Sequence, residues 1–225
     1  MELNVLYEDN HLIAVLKPAG VLTQGDETGN ENLMDEVKKY LKEKYQKPGN
    51  VFLGLLHRLD RPVSGIIIFA KTSKGASRLS EQFRNHSIVK IYQAVVIGAP
   101  RQEKGKLINY LEKDEKLKKA IITEGCLTAG RQGQLAELYY QVIASNDKYS
   151  LLKIQLKTGR FHQIRAQLAN AGCPILGDLK YGAPFPLPDK SIALCANFLS
   201  FETATTKERK EVSMPLPKEW EEYMR

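Results

Sequence analysis

Cysteine is scarce and scattered in this chain: Cys126, Cys173 and Cys195 are the only three in 225 residues. An odd count, with no C-x-x-C pair and no Cys/His ligand spacing, argues against a disulfide framework and against a zinc site, and leaves the three as small core residues. No apolar run reaches the ~20 residues that a membrane-spanning helix needs. The N-terminal stretch "MELNVLYEDNHLIAVLKPAG" carries acidic residues where a signal peptide is basic. A soluble, reducing compartment, the cytoplasm, is therefore the expected location. Repeats and low-complexity tracts are missing, and no Gly-rich phosphate fingerprint follows a strand pattern and opens a helical one. With no cluster of His, Cys and carboxylates at ligand spacing either, neither cofactor nor metal is expected.

What remains is a chain rich enough in apolar residues to fold alone. A hydrophobic content of 43% over this length supports a sizeable core, and we read residues 1–225 as a single domain. Lys and Arg outnumber Asp and Glu by 33 to 26, a formal charge of +7, with a sequence pI near 9.2. That excess favours a polyanionic partner without naming one.

Periodicity outlines the elements. "NVLYED" and "HLIAVLK" read as two strands around a polar turn. In "NENLMDEVKKYLKEKY" Leu33, Val37 and Leu41 recur at helical spacing. "VFLGLL" and "GIIIFAK" are short continuous apolar runs of the kind found in strands covered on both faces. Thr72 is placed to cap a helix in which Ala76, Leu79 and Phe83 mark one face. "SIVKIYQAVVIG" is again a strand. From Ala99 to Gly133 the pattern turns charged and irregular, which suggests an exposed excursion of short strands and loops. "QLAELYYQVIAS" and "KYSLLKIQLK" form a hairpin around Asn146 and Asp147, "FHQIRAQLANA" a helix ended by Gly172, "SIALCANFLSF" a last strand and "PKEWEEYM" a terminal helix. Adjacent strand pairs with few helices between them predict an α+β fold, a mixed, mostly antiparallel central sheet with flanking helices.

Two segments carry the chemistry. "HRLDRPVSG", His57 to Gly65, places a His, two Arg and an Asp between two greasy runs, and loops between strands are where functional side chains are displayed. Pro62 removes a donor and biases Arg61 away from helix, so Asp60 sits on a loop of restricted freedom. An Asp paired with Arg58 or Arg61 in a surface turn would explain this segment as well. The second segment, "LKTGRFHQIRAQLANAG", brings Arg160, His162 and Arg165 to a strand-to-helix junction. If the two meet, they make one basic pocket around one carboxylate, whose ionised form the neighbouring guanidinium groups favour.

These stretches resemble the RluA-type pseudouridine synthases. "HRLDRPVSG" is similar to that family's H-R-L-D-x-x-x-S-G motif, "KIYQAVVIG" to its K-x-Y segment and "TGRFHQIRAQLANAGCPILGDLKYG" to its C-terminal stretch, in the family's order and from the first strands through Tyr181. The resemblance implies isomerisation of uridine to pseudouridine in structured RNA, ribosomal or transfer, without cofactor or metal and without an obligatory protein partner, by a monomer. It also implies the roles: Asp60 as catalytic aspartate, Tyr92 as active-site tyrosine and Arg165 as the cation that pairs with the aspartate. Ile164 then packs on the target base, and Arg58 fills the gap left by a flipped nucleotide. The larger members begin with a basic S4-type RNA-binding domain, and none is expected here, since the sequence starts directly with the strand pair "NVLYEDNHLIAVLK". Substrate choice would then rest with the catalytic domain, the Ala99 to Gly133 excursion included.

The expected reaction breaks the N1–C1′ glycosidic bond, turns the detached uracil and joins C5 to C1′, and glycosidic cleavage is carboxylate work. Attack on C1′ and proton removal from C2′ are both open to Asp60. An ordinary phenol titrates near about 10, so Tyr92 is expected to stack rather than to act as a base; a strand tyrosine in the core is the bland alternative. His57 and His162 each lie beside an Arg with no partner at metal spacing and are read as hydrogen-bonding scaffold near the substrate. Lys17 and Lys180 are expected as phosphate contacts or surface charges. Two competing functions stay open: a catalytically silent RNA-binding module, which has no need of Asp60, and a small-molecule hydrolase using Asp60 and His57, for which neither metal cluster nor glycine loop is present.

Overall fold

A computed structural model describes residues 2–27, 29–123 and 133–225; the expectation for Cys126, and part of that for the excursion ending at Gly133, lie outside them. Along the chain run β1 (Val5–Glu8), β2 (Leu12–Lys17), α1 (Leu33–Lys44), β3 (Gly54–Leu55), β4 (Ser64–Ala70), α2 (Ser73–Arg84), β5 (Val89–Ile97) and β6 (Lys104–Asp114). Then follow β7 (Lys119–Thr123), β8 (Gln134–Ser145), β9 (Tyr149–Leu156), α3 (Gln163–Asn170), β10 (Leu194–Glu202), β11 (Arg209–Ser213) and α4 (Glu221–Met224). Few helices and many antiparallel strand pairs confirm the α+β expectation. The chain divides into two compact units, one of residues 1–90 and 196–215, the other of 91–195 and 216–225.

In the first unit the strand order is β1-β2-β4-β10, with β3 beside β4 and β11 beside β10. The β1–β2, β2–β4, β3–β4 and β10–β11 pairings are antiparallel. Every residue of β4 after Ser64 is buried, which is why "GIIIFA" reads as an unbroken apolar run rather than an alternation. Helix α1 starts where the Asn32 side chain accepts the Asp35 N–H at 3.1 Å, and it buries Leu33, Val37 and Leu41. Thr72 caps α2 as expected, its hydroxyl accepting the Gly75 N–H at 3.1 Å. The Gln82 side chain of α2 then bonds the backbone of Glu202 in both directions. The core joins Leu12, Ile66, Ile68, Leu79, Leu199 and Phe201.

In the second unit β5-β9-β8-β6-β7 form an antiparallel series. Asn146 makes the β8–β9 turn, its Oδ1 accepting the N–H groups of Lys148 and Tyr149. Helix α3 runs to Asn170, and Gly172, at φ +81°, lets the chain leave it. Leu111, Ala120, Ala136, Ala166 and Tyr181 pack together beneath it. Cys173 and Cys195 are both buried, as small core residues should be.

Three expectations need correction. Of "VFLGLL" only Gly54–Leu55 pairs as a strand. The charged stretch after Ala99 is ordered sheet over Lys104–Asp114, eleven residues between β8 and β7. Lys104, Lys106 and Lys113 are exposed along it and Glu112 and Asp114 half-buried, so charge hides the strand. "SIALCANFLSF" is not the last strand, because polar β11 pairs on β10.

Gly65 shows how tightly the first sheet is built. Its φ of +137° suits glycine alone, and a Cβ there would meet the Ala196 backbone N and O at 2.5 Å. Gly65→Ala is expected to destabilise the protein by about 2 kcal/mol or more. A urea unfolding midpoint unchanged from the parent would contradict this.

Candidate active site

The residues singled out in the sequence fall into two groups, one in each unit. In the first, the loop from His57 to Val63 has almost no secondary structure, yet nearly every residue in it is tied down. Thr23 Oγ1 donates to the Leu59 carbonyl at 2.9 Å and accepts the Leu59 N–H at 3.3 Å. The Arg61 carbonyl accepts the Gly20 N–H at 2.8 Å, while Arg61 Nε returns a bond to the Gly20 carbonyl at 2.9 Å. The Val63 N–H closes a turn on the Asp60 carbonyl at 3.0 Å. Asp60 is half-buried between these anchors, and Arg58 is exposed.

His57 belongs to the same frame. Its Nε2 accepts the Ile68 N–H of β4 at 3.0 Å and its ring lies 5.2 Å from that of Phe83. Burial, with the Lys90 charge adding to it, pushes the imidazole down to about 3, so His57 is neutral at neutral pH and carries its proton on Nδ1. The ring is thus held between β4 and α2.

Lys17 departs from expectation. The sequence suggests a surface or phosphate-contacting charge; instead the side chain is fully buried, its ammonium donating to the carbonyls of Pro18 at 3.0 Å, Val21 at 2.7 Å and Arg61 at 3.2 Å. Burial pulls its pKa down to about 7, against the pull of Asp60 in the opposite direction and with a smaller push from Arg61. Lys17 thus staples the chain after β2 to the loop that holds Asp60. Lys180, by contrast, is exposed and donates to the Lys118 carbonyl at 3.1 Å.

In the second unit Tyr92 is a buried residue of β5, paired with Ile154 of β9. Ile164 and Arg165 are buried in the first turn of α3. That turn is anchored through Gln163, whose Oε1 accepts from the Thr158 hydroxyl and the Arg160 N–H, and whose Nε2 donates to the Glu137 carbonyl. Arg160 also donates from Nε to the Leu135 carbonyl at 3.0 Å. His162 precedes the helix with φ 49°, a left-handed conformation, and its Nδ1 lies 3.0 Å from the Tyr181 hydroxyl.

Arg165 has a partner that sequence reasoning missed. Its Nε and Nη2 reach the two carboxylate oxygens of Asp178 at 2.7 and 2.8 Å, a bidentate pair with both side chains buried. The Tyr181 ring lies 5.0 Å from the same guanidinium. The signal was present in "PILGDLKYG": a lone Asp in an apolar stretch must find a cation or a donor when it is buried.

Among the described residues no group of three or more His, Cys, Asp or Glu could hold a metal ion, and no helix is long and apolar enough to cross a membrane. The first unit offers a carboxylate and a neutral imidazole on one pinned loop, and the guanidinium, imidazole and phenol groups of the second suit a flat, anionic substrate.

Comparison with known proteins bears on what that substrate is. Residues 11–170 match the family model described as RNA pseudouridylate synthase. An uncharacterized RNA pseudouridine synthase of Bacillus subtilis, YhcT, is 33% identical over 219 residues, covering 96% of this chain and 69% of that protein. The ribosomal large subunit pseudouridine synthase C of Rickettsia prowazekii is 36% identical over 216 residues, 94% of this chain and 68% of its own. The solved structure of human RNA pseudouridylate synthase domain containing 4 superposes with a TM-score of 0.78 at 25% identity, over 96% of this chain and 90% of that one.

Two outcomes follow from the buried charges. Asp178→Asn leaves the Arg165 guanidinium without its bidentate partner and is expected to cost about 3 kcal/mol or more of stability; a denaturant midpoint equal to the parent's would refute it. For Lys17, the unfolded chain keeps its proton up to about pH 10.5 while the folded chain begins to release it near about 7. The unfolded state therefore binds more protons across that window, and Lys17 makes stability rise with pH there, by at most about 1.4 kcal/mol per pH unit. Urea melts from pH 7 to 10 should show a shallower rise in Lys17→Met than in the parent.

Proposed function

The chain belongs to the family of RNA pseudouridylate synthases, isomerases that act on RNA, and from that premise we propose that it converts uridine to pseudouridine in ribosomal RNA with Asp60 as the group working at the sugar. The relatives from Rickettsia that are named for the large ribosomal subunit support ribosomal over transfer RNA. Residues 1–225 serve this one activity, in the cytoplasm and as a monomer. The observation that carries the reading is the pinned loop: a carboxylate that must meet one carbon of a flipped nucleotide needs a backbone that does not move, and hydrogen bonds from Lys17, Gly20 and Thr23 supply that.

The reaction is an isomerisation and needs no redox partner. The N1–C1′ bond breaks, the uracil turns, C5 bonds to C1′, C5 loses its proton and N1 gains one. Asp60 acts in its ionised form by either route open to it, attack on C1′ or proton removal from C2′. A base inside a stack is out of reach, so the uridine is extruded, at a cost of a few kcal/mol. Arg58, long and exposed, is suited to fill the vacated space. Tyr92 and Ile164 provide flat and aliphatic surfaces for the base, and Arg165, held rigid by Asp178, is the cation of the set. Arg160 and His162 line the substrate side of α3.

Asp60→Asn keeps the shape and removes the charge. We expect RNA affinity near the parent's, because phosphate contacts dominate it, and no detectable single-turnover conversion of ribosomal RNA from cells lacking this protein. Conversion at the parent rate would remove Asp60 from the mechanism. A parent that modifies transfer RNA alone would correct the substrate, and one that binds RNA but converts none would make the protein a binding module.

A further inference from the structure

A single exposed phenylalanine needs no explanation; Phe161 has surroundings that do. It is 40% exposed, immediately before α3, and its ring lies flat on that of His162, with centroids 3.8 Å apart and planes at 18°. The His162 ring is itself fixed, by the bond of its Nδ1 with the Tyr181 hydroxyl and by edge-on contact with the Tyr181 ring at 5.7 Å. The Tyr181 hydroxyl in turn accepts the Ala120 N–H of β7 at 2.7 Å. Three rings thus form a rigid series from buried Tyr181 to exposed Phe161.

Cations accompany the series along its length. Arg165 Cζ lies 5.0 Å and Lys119 Nζ 4.9 Å from the Tyr181 ring, and Lys113 Nζ lies 5.3 Å from the Phe161 ring. Lys180 adds an exposed ammonium against the β6–β7 turn. Lys113 also pairs with Glu115 at 2.8 Å, but both side chains are largely exposed, so this tie exchanges readily for another anion. A flat ring of fixed orientation accompanied by ammonium groups has the chemistry of a single-stranded nucleic-acid site: bases stack on aromatic faces while lysines follow the phosphates. A protein partner would be met by a wider apolar patch, whereas this ring is bordered by charge.

We propose that Phe161 is a stacking platform for an unpaired base of the RNA substrate, with Lys113 and Lys119, the ammonium groups at the two ends of the ring series, holding its phosphates. This rests on the reading of the protein as an RNA-modifying enzyme and adds to it a point of strand recognition outside the catalytic set. On binding, the base takes the ring face from the Lys113 ammonium, which turns to the adjoining phosphate.

The test uses the full chain and two probes of about ten nucleotides, a length within the reach of one strand-binding groove: an oligouridylate and its abasic counterpart with the same phosphates. Anisotropy titrations of the parent should favour the oligouridylate by about tenfold, and Phe161→Ala should abolish that preference while Phe161→Tyr retains it. Lys113→Ala and Lys119→Ala should weaken both probes alike and reduce the salt slope by about 0.7 each. Phe161→Trp gives a stacking signal of its own, because Trp220, the chain's one native tryptophan, is buried; its fluorescence should be quenched by the oligouridylate and not by the abasic probe. A parent that binds neither probe or does not discriminate between them, or a Phe161→Ala that still discriminates, overturns the platform. Pseudouridine formation by the parent on ribosomal RNA is scored in parallel. Discrimination without conversion leaves the platform and removes the synthase reading; conversion with no dependence of binding on Phe161 does the reverse.

Discussion

The buried ammonium of Lys17 is the constraint on which the loop that carries Asp60 depends. Enclosing a cation costs several kcal/mol even after local relaxation, and three bonds to carbonyls, each worth about 1.5–3 kcal/mol when one partner is charged, offset part of that penalty, the remainder showing as the pKa lowered to about 7. The carbonyls belong to Pro18, Val21 and Arg61, so the compensation is available only when two separate stretches of chain stand at fixed separation. Stability and geometry are therefore one requirement here. The loop that carries Asp60 cannot drift without exposing the Lys17 charge to an environment that no longer answers it.

The second unit uses the same logic with a different cation. Arg165 is buried in α3 and is answered by both oxygens of Asp178, a planar fork on a planar carboxylate. Where the ammonium of Lys17 gathers carbonyls from several directions, the guanidinium is fixed in plane as well as in place. The rings of Tyr181, His162 and Phe161 extend this rigidity outward, since each is bonded or stacked to the next. The left-handed backbone at His162, unfavourable for a residue with a side chain, is the local strain at which the strand-to-helix turn aims that ring.

Much of the fold was legible because burial imposes periods. The four-residue spacing of Leu33, Val37 and Leu41, the unbroken apolar run of β4, the Thr72 cap and the Asn146 turn each show within a short stretch of sequence. Strand β6 was not legible, because lysines at its exposed positions conceal the alternation that its neighbours β8 and β7 stabilise. The site divides in the same way. "HRLDRPVSG" and "TGRFHQIR" stand out as polar islands in apolar surroundings, Asp178 shows only through the apolar stretch around it, and Lys17 does not announce itself, since one charge at a strand end looks the same whether water or protein receives it.

By itself the sequence determined the α+β class, most of the helices and strands, the basic character and the family motifs that carry Asp60, Tyr92 and Arg165. Those are properties of composition and of short-range order, and they survive in a string of letters. Tertiary structure alone decided that Lys17 lies inside rather than outside, that Asp178 is the carboxylate answering Arg165, and that Phe161 rests on His162 with lysines around it. Each of these joins residues or carbonyls brought together by folding, and the environment of a charge or a ring is set by what the fold packs against it.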